Sequence, residues 1–248
     1  MDEWWLFFAV GLVAQLIDGA LGMAFGVTAT TFMLSFGTSP VQASAMVHIA
    51  EIFTTAASGA SHFAHRNIDW RIVKRIVVPG TIGGILGATV LVNIDGKVIA
   101  PFVAAYLALL GVVILVRALN MFTPPQPQQR GMPVLGFVGG VLDAIGGGGW
   151  GPIVTSTLIG HGHVPRLVIG SVNLTEFFVT IASSAAFVLT LGFADLVPVI
   201  PLILGGLVSA PFAGYLTRIA PTRLLMVLVG CLILFLSLRS LLKFVGWL

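Results

Sequence analysis

The chain has 248 residues, 57% of them hydrophobic and only 8% charged, with a mean hydropathy of +1.06. A soluble domain carries about 25% charged residues, so this composition excludes one and describes a chain that crosses a membrane several times. Its 12 Lys and Arg against 9 Asp and Glu leave +3. No basic patch forms, so nucleic acid is not an expected partner, and the single Cys231 excludes an intramolecular disulfide.

In chain order, Met1-Asp-Glu-Trp-Trp5 is acidic and aromatic, unlike the basic start of a cleaved signal peptide, so the first apolar segment is expected to be retained. That segment, Trp4 to Phe36, holds 33 residues. One crossing takes about 20, so it is too long for one span and too short for two. It contains Asp18-Gly-Ala-Leu-Gly-Met-Ala-Phe-Gly26, and the spacing predicts two shortened helices that meet at the glycines. Spans are predicted next within Val41 to Ala64, Ile76 to Val92 and Val98 to Val116. A stretch rich in Pro and Gln, 123–130, reads as a linker between a first repeat, 1–122, and a second, 131–248. Met132 to Ile159 is again too long for one span and breaks at Asp143-Ala-Ile-Gly-Gly-Gly-Gly-Trp-Gly-Pro152, where Pro152 suits the first turn of a new helix. Further spans are predicted within Leu167 to Leu191, Leu196 to Leu216 and Leu224 to Leu238.

The halves are repeats. An offset of 125 residues aligns Gly11 to His62 with Gly136 to Phe187 without a gap, pairing Asp18 with Asp143, Gly22 with Gly147, Gly26 with Gly151, Thr30 with Thr155 and Glu51 with Glu176. Acids are rare here, so coincident acids mark a duplication. The expected fold is an all-α polytopic membrane protein of two repeats, about 1–120 and 131–248. Each is a glycine-broken pair of short helices followed by three transmembrane helices. An odd number of passes per half makes the repeats inverted. Basic residues support this: with Arg66, Arg71, Lys74 and Arg75 in the cytoplasm, only Lys97, Arg239 and Lys243 fall outside. A parallel arrangement gives nearly the same bias, so segment length and the recurrence of broken helices in inverted-repeat transporters decide.

A helix broken inside hydrocarbon exposes N–H and C=O groups, tolerated only when buried in protein or lining a wet cavity. The two breaks are therefore the first candidate site. Asp18 and Asp143 stand just before them and are assigned as caps of the following helices; a cation or proton site is the alternative. The restarts carry Thr30, Thr31, Thr155 and Ser156. A helix N-terminus with free N–H groups and hydroxyls suits an anion. No Lys or Arg lies at mid-membrane, so a small anionic substrate would be held by Gly22, Gly147, Gly148, Gly149, Trp150, Thr30, Thr31, Thr155, Ser156, Asn173 and His48. The alternatives are hydroxyls that bond back to their own helix and glycines that serve close packing.

Ser44, His48, Glu51, Thr55, Ser58 and His62 alternate in steps of four and three, one helix face, and Asn173, Glu176, Thr180 and Ser183 repeat it. An ionisable group at mid-membrane costs at least about 2.5 kcal/mol. Glu51 and Glu176 are therefore expected to line the path and carry protons as coupling ion, with a purely structural role between helices as the alternative. No His-Glu-x-x-His, Gly-x-Ser-x-Gly, phosphate loop or Cys/His cluster occurs, so neither an enzyme nor a cofactor or metal site is expected. His161 and His163 read as solvated loop residues.

Across nearly its whole length the chain resembles the TauE/SafE sulfite exporter family, within the 4-toluene sulfonate uptake permease group. The resemblance rests on the two related halves, the glycine-rich breaks, and the stretches Val47-His-Ile-Ala-Glu-Ile-Phe-Thr-Thr55 and Gly170-Ser-Val-Asn-Leu-Thr-Glu-Phe-Phe178. It implies secondary transport, by alternating access, of sulfite, a sulfonate or a related organosulfur anion across the bacterial cytoplasmic membrane. The first break departs from a poly-glycine pattern, with Met23, Ala24 and Phe25. A channel-like or uniporting pore and a non-transporting membrane subunit are the other classes the sequence admits. Oligomeric state is not fixed by it.

Overall fold

The computed structural model describes residues 2–119, 131–192 and 199–245. The expected linker 123–130 and the loop at Asp195 lie outside them. The described residues form helices and short connections, without strands. The first half holds α1 (Asp2–Leu21), α2 (Phe25–Ser35), α3 (Pro40–Ala64), α4 (Trp70–Val92) and α5 (Gly96–Leu119). The second holds α6 (Met132–Gly146), a π-helical turn (Gly151–Thr155) running into α7 (Ser156–Gly160), α8 (Pro165–Leu191), α9 (Val199–Ser209), a 3₁₀ turn leading to α10 (Ala213–Ile219), and α11 (Thr222–Val245). Shifted by the repeat offset, the five elements of one half fall on those of the other.

Among the described residues, six helical segments are long and apolar enough to cross a membrane. The protein is thus an all-α, polytopic integral membrane protein. α3 is also of span length, but its hydropathy is lowered by polar residues that it buries: Ser44, His48, Glu51, Thr55, Ser58 and His62 are all at most 2% exposed. Large apolar side chains such as Phe102, Leu109, Val134 and Phe235 face outward instead. Lipid therefore takes the apolar surface, and the polar stripes meet inside.

The halves pack mainly on each other. α4 lies along α6 in the same direction, Ile76 on Gly136, Gly80 on Gly140 and Gly87 on Ala144. The repeat-related pair α1 and α9 does the same, Gly11 on Leu202 and Gly205 between Phe8 and Leu12. Small residues are needed there because backbone sits on backbone. α3 and α8 instead cross antiparallel: Ser58 donates to Asn173 Oδ1 at 2.8 Å, and Asn67, just past the end of α3, lies on Gly170 near the start of α8. These two repeat-related helices therefore run in opposite directions.

The broken segments are hairpins. α1 lies beside α9 and α10, with Gly11 on Leu202 and Gly19 on Ala213, and these run the same way as α3, with Gly206 on Thr54 and Gly214 on Ser61, so α1 and α3 point in one direction. α2 runs back: Gly26 lies against Glu51, and Thr30 and Ser44 meet at Gly147. A short loop then leads into α3. In the second half α7 returns from the tip to the loop before α8 in the same way. Two details differ from the sequence expectation. α1 is 20 residues long rather than shortened, Asp2–Leu21. The second restart is a π turn over Gly151–Thr155 rather than an ordinary α turn.

Candidate functional site

The hairpin tips enter from opposite ends and interlock, each contact being made twice. Thr155 Oγ1 donates to the Gly22 carbonyl at 2.8 Å, and Thr30 Oγ1 donates to the Gly147 carbonyl. Gly26 packs on Gly148, and Gly151 packs on Met23. The repeat offset thus carries each contact of the crossing onto its twin. Gly22 and Gly147 both sit at φ +64°, a left-handed turn that a side chain resists. That turn reverses the chain.

Each tip is closed by its own aspartate. Asp18 Oδ1 accepts from the N–H groups of Ala24 and Phe25 at 2.8 and 3.3 Å, and Asp143 Oδ1 from those of Gly149 and Trp150 at 2.8 and 3.0 Å. This is the geometry of a helix cap made from six and seven residues away. The four glycines of the second tip each have a neighbour that excludes a side chain. A Cβ at Gly146 or Gly149 would meet Tyr106 of α5, at Gly147 it would meet Thr30, and at Gly148 the backbone of Gly26 and Val27.

Around the crossing lies a cavity of about 10 Å³, lined by Asp18, Glu51, Asp143 and Glu176 with the backbones of Gly26, Gly148, Gly149 and Gly151. That volume admits about one water. Glu51 is 1% exposed and its Oε2 has no hydrogen-bond partner. His48 joins the second tip only. Its Nδ1 is 2.8 Å from the Ser44 carbonyl and must carry a hydrogen there, while Nε2 is 3.2 Å from Asp143 Oδ2. A favourable contact between Nε2 and that carboxyl needs one further proton, on either partner. The counterpart of His48 is Asn173, which accepts from Ser58 and donates to the Ile169 carbonyl at 3.2 Å. The two tips are therefore chemically unequal.

Of the residues expected to hold a substrate, Gly148 and Gly149 line the cavity with the four acids, whereas Gly22, Gly147, Thr30 and Thr155 are committed to the crossing. Thr31 donates to the Val27 carbonyl of its own helix at 2.5 Å. The Trp150 indole is fully buried and turned away, its N–H donating to the Val172 carbonyl at 3.3 Å and its ring lying over Gly80 and Gly139. Ser156 is buried with its hydroxyl unpartnered. None of these hydroxyls stands at a free helix start: α2 begins at Phe25, and Thr155 and Ser156 lie a turn beyond Trp150. Tyr106, half-buried against the second tip with its hydroxyl enclosed and unpartnered, was not legible from the sequence. Its only signal there is being one of 2 tyrosines in an otherwise apolar chain.

Among the described residues no group of His, Cys, Asp and Glu is arranged to hold a metal ion. A polytopic bundle with two crossed, capped hairpins and acids at the crossing is the build of a membrane transporter. Residues 7–240 match the sulfite exporter TauE/SafE family, and the chain belongs to that family. It is also 42% identical, over 96% of its own length and 82% of the relative's, to a probable membrane transporter protein, YtnM, of Bacillus subtilis (strain 168). No solved structure matches it.

Proposed function

We propose that the protein is a secondary transporter, and no enzyme, that moves a small sulfur-containing anion, sulfite or an organic sulfonate, across the bacterial cytoplasmic membrane by alternating access. Residues 1–122 and 131–248 act as inverted repeats joined by 123–130. The opposite directions of α3 and α8 support inversion, and the charge rule places the end bearing Arg66, Arg71, Arg117, Arg166 and Arg218 in the cytoplasm.

One observation carries the mechanism: four carboxyl groups surround a cavity the size of one water, between two hairpin tips that only packing and a few hydrogen bonds hold together. An anion entering that centre meets four acids, so it binds only when most of them are neutral. Proton uptake by Glu51 and Glu176, with the proton held between His48 and Asp143, then precedes or accompanies anion binding. Coupling needs no separate device. Separation of the tips would open N–H groups of the α2 start and of the glycine turn to the substrate, each helix end contributing about 0.3–2 kcal/mol. Such weak binding permits release.

Purified protein in proteoliposomes, offered sulfite and short sulfonates under an imposed pH gradient, tests this. Saturable flux that follows the gradient is expected. Non-saturating passive flux would make the protein a pore, and no solute flux at all would leave a membrane subunit.

A further inference from the structure

A second, larger cavity lies at the other end of α2. It holds about 330 Å³ and is lined by Leu34, Thr38, Ser39, Lys97, Ala100 and Ala104, and equally by Asp95 and Ser240. That is the size of a small-molecule pocket, mostly apolar with a few converging polar groups. It sits between the turn from α2 to α3, the first turns of α5, and α11. Lys97 is one of three basic residues at this end of the bundle. A second, Lys243, stands beside the pocket and donates to the Ser35 carbonyl at 3.1 Å. Asp95 opposes them, its carboxylate accepting from the Lys97 backbone N–H at 2.8 Å. Two cations against one acid leave a single positive charge, which matches a monoanion.

The pocket also extends along α5 toward the level of the centre. Lys97, Ala100 and Ala104 descend one face of α5 in steps of three and four, and Tyr106, which covers Gly146 and Gly149 of the second tip, follows within the next turn. Two residues past Ala104, Tyr106 stands on the other side of α5, so the inner end of the pocket lies about half a helical turn along the helix from the residue that covers the second tip.

We propose that this pocket is the outer binding site on the transport path, taking a short organic sulfonate with its head at Lys97, Thr38 and Ser39 and its apolar body on Leu34, Ala100 and Ala104. The substrate class rests on the function proposed above; the site itself rests on the cavity and its charges.

The test uses thiol labelling, which needs no transport. In a Cys231→Ser background, Ala100→Cys in right-side-out vesicles is exposed to sulfonatoethyl methanethiosulfonate, a membrane-impermeant reagent that itself carries a sulfonate. Rapid labelling is expected, slowed by excess ethanesulfonate. Lys97→Glu should slow it at least about tenfold while leaving an uncharged impermeant methanethiosulfonate unaffected. Leu34→Cys, on the facing wall, repeats the measurement should Ala100→Cys fold poorly. Labelling by lipid-soluble maleimide alone would show a groove for acyl chains and overturn the proposal, as would a sulfonate reagent indifferent to Lys97→Glu. Vesicles that label as expected yet transport no sulfur anion would overturn the substrate reading and leave the pocket standing.

Discussion

The four glycines of the second tip are explained one neighbour at a time, which makes a sharp double-mutant prediction at Gly149. A Cβ there falls on the Tyr106 hydroxyl, with the ring carbon Cζ next at 3.2 Å. Gly149 has no positive φ, so Gly149→Ala is penalised by overpacking alone, about 1–3 kcal/mol. Tyr106→Phe removes the obstructing oxygen. That oxygen is buried without a partner, so the substitution alone should be neutral or mildly stabilising. In the double variant the nearest atom is a ring carbon at a tight but tolerable distance, and a coupling of about 1–2 kcal/mol should return most of the loss. At about 2–4 °C per kcal/mol, thermal unfolding in detergent should show Gly149→Ala about 2–12 °C below wild type and the double variant close to it. Gly148→Ala is the control: its φ is +148° and its Cβ would meet Gly26 and Val27 backbone, so Tyr106→Phe should not rescue it. Equal melting of Gly149→Ala with and without Tyr106→Phe would refute this account of the tip. So would equal rescue at Gly148. The repeat offers a natural parallel, since the position equivalent to Tyr106 is Cys231 and the first tip carries Ala24 where the second has Gly149.

Three more outcomes are expected. Thr30→Val and Thr155→Val each leave a buried carbonyl of the opposite tip unpaired, costing about 1–3 kcal/mol apiece. Their effects should be less than additive because both hold the same crossing, and wild-type melting in both would mean that the hydroxyls do not hold it. Glu51→Gln and Glu176→Gln mimic the neutral side chain. If neutral acids admit the anion, wild-type binding weakens as pH rises, whereas the Gln variants should hold their affinity at high pH and lose proton-driven flux; binding by calorimetry that falls with pH as in wild type would count against the coupling. Asp143→Asn keeps an acceptor for the N–H groups of Gly149 and Trp150 but cannot share a proton with His48, so the fold should survive in detergent while pH-gradient-driven uptake is lost. Normal gradient dependence in that variant would remove the pair from the path.

Much of the architecture was legible along the chain because the bilayer fixes segment length and the duplication repeats its own errors. The excess length of Trp4 to Phe36 and of Met132 to Ile159, the glycines inside them, and the coincidence of Asp18 with Asp143 and Glu51 with Glu176 are one-dimensional facts. They suffice for broken helices, paired halves and a buried polar stripe. Capping by the aspartates was also readable, since a carboxylate just before a helix restart has few other uses in hydrocarbon.

What the linear order could not supply is which tip touches what. Thr30 and Thr155 look like ligands for an anion when only their own helices are considered, but each finds the carbonyl of the opposite tip, over a hundred residues away, and is committed there. Trp150 has an indole N–H that seemed free until α8 supplied the Val172 carbonyl. Tyr106 becomes relevant only because α5 lays it on the glycines, and His48 meets the Asp143 carboxyl only because α3 passes it. Sequence by itself determined the elements, their burial and their repeat, because hydrophobicity, helix length and backbone capping are local properties. The tertiary structure alone decided that the breaks are interlocked hairpins whose acids share one small cavity, because that arrangement is fixed by contacts between halves that no local propensity encodes.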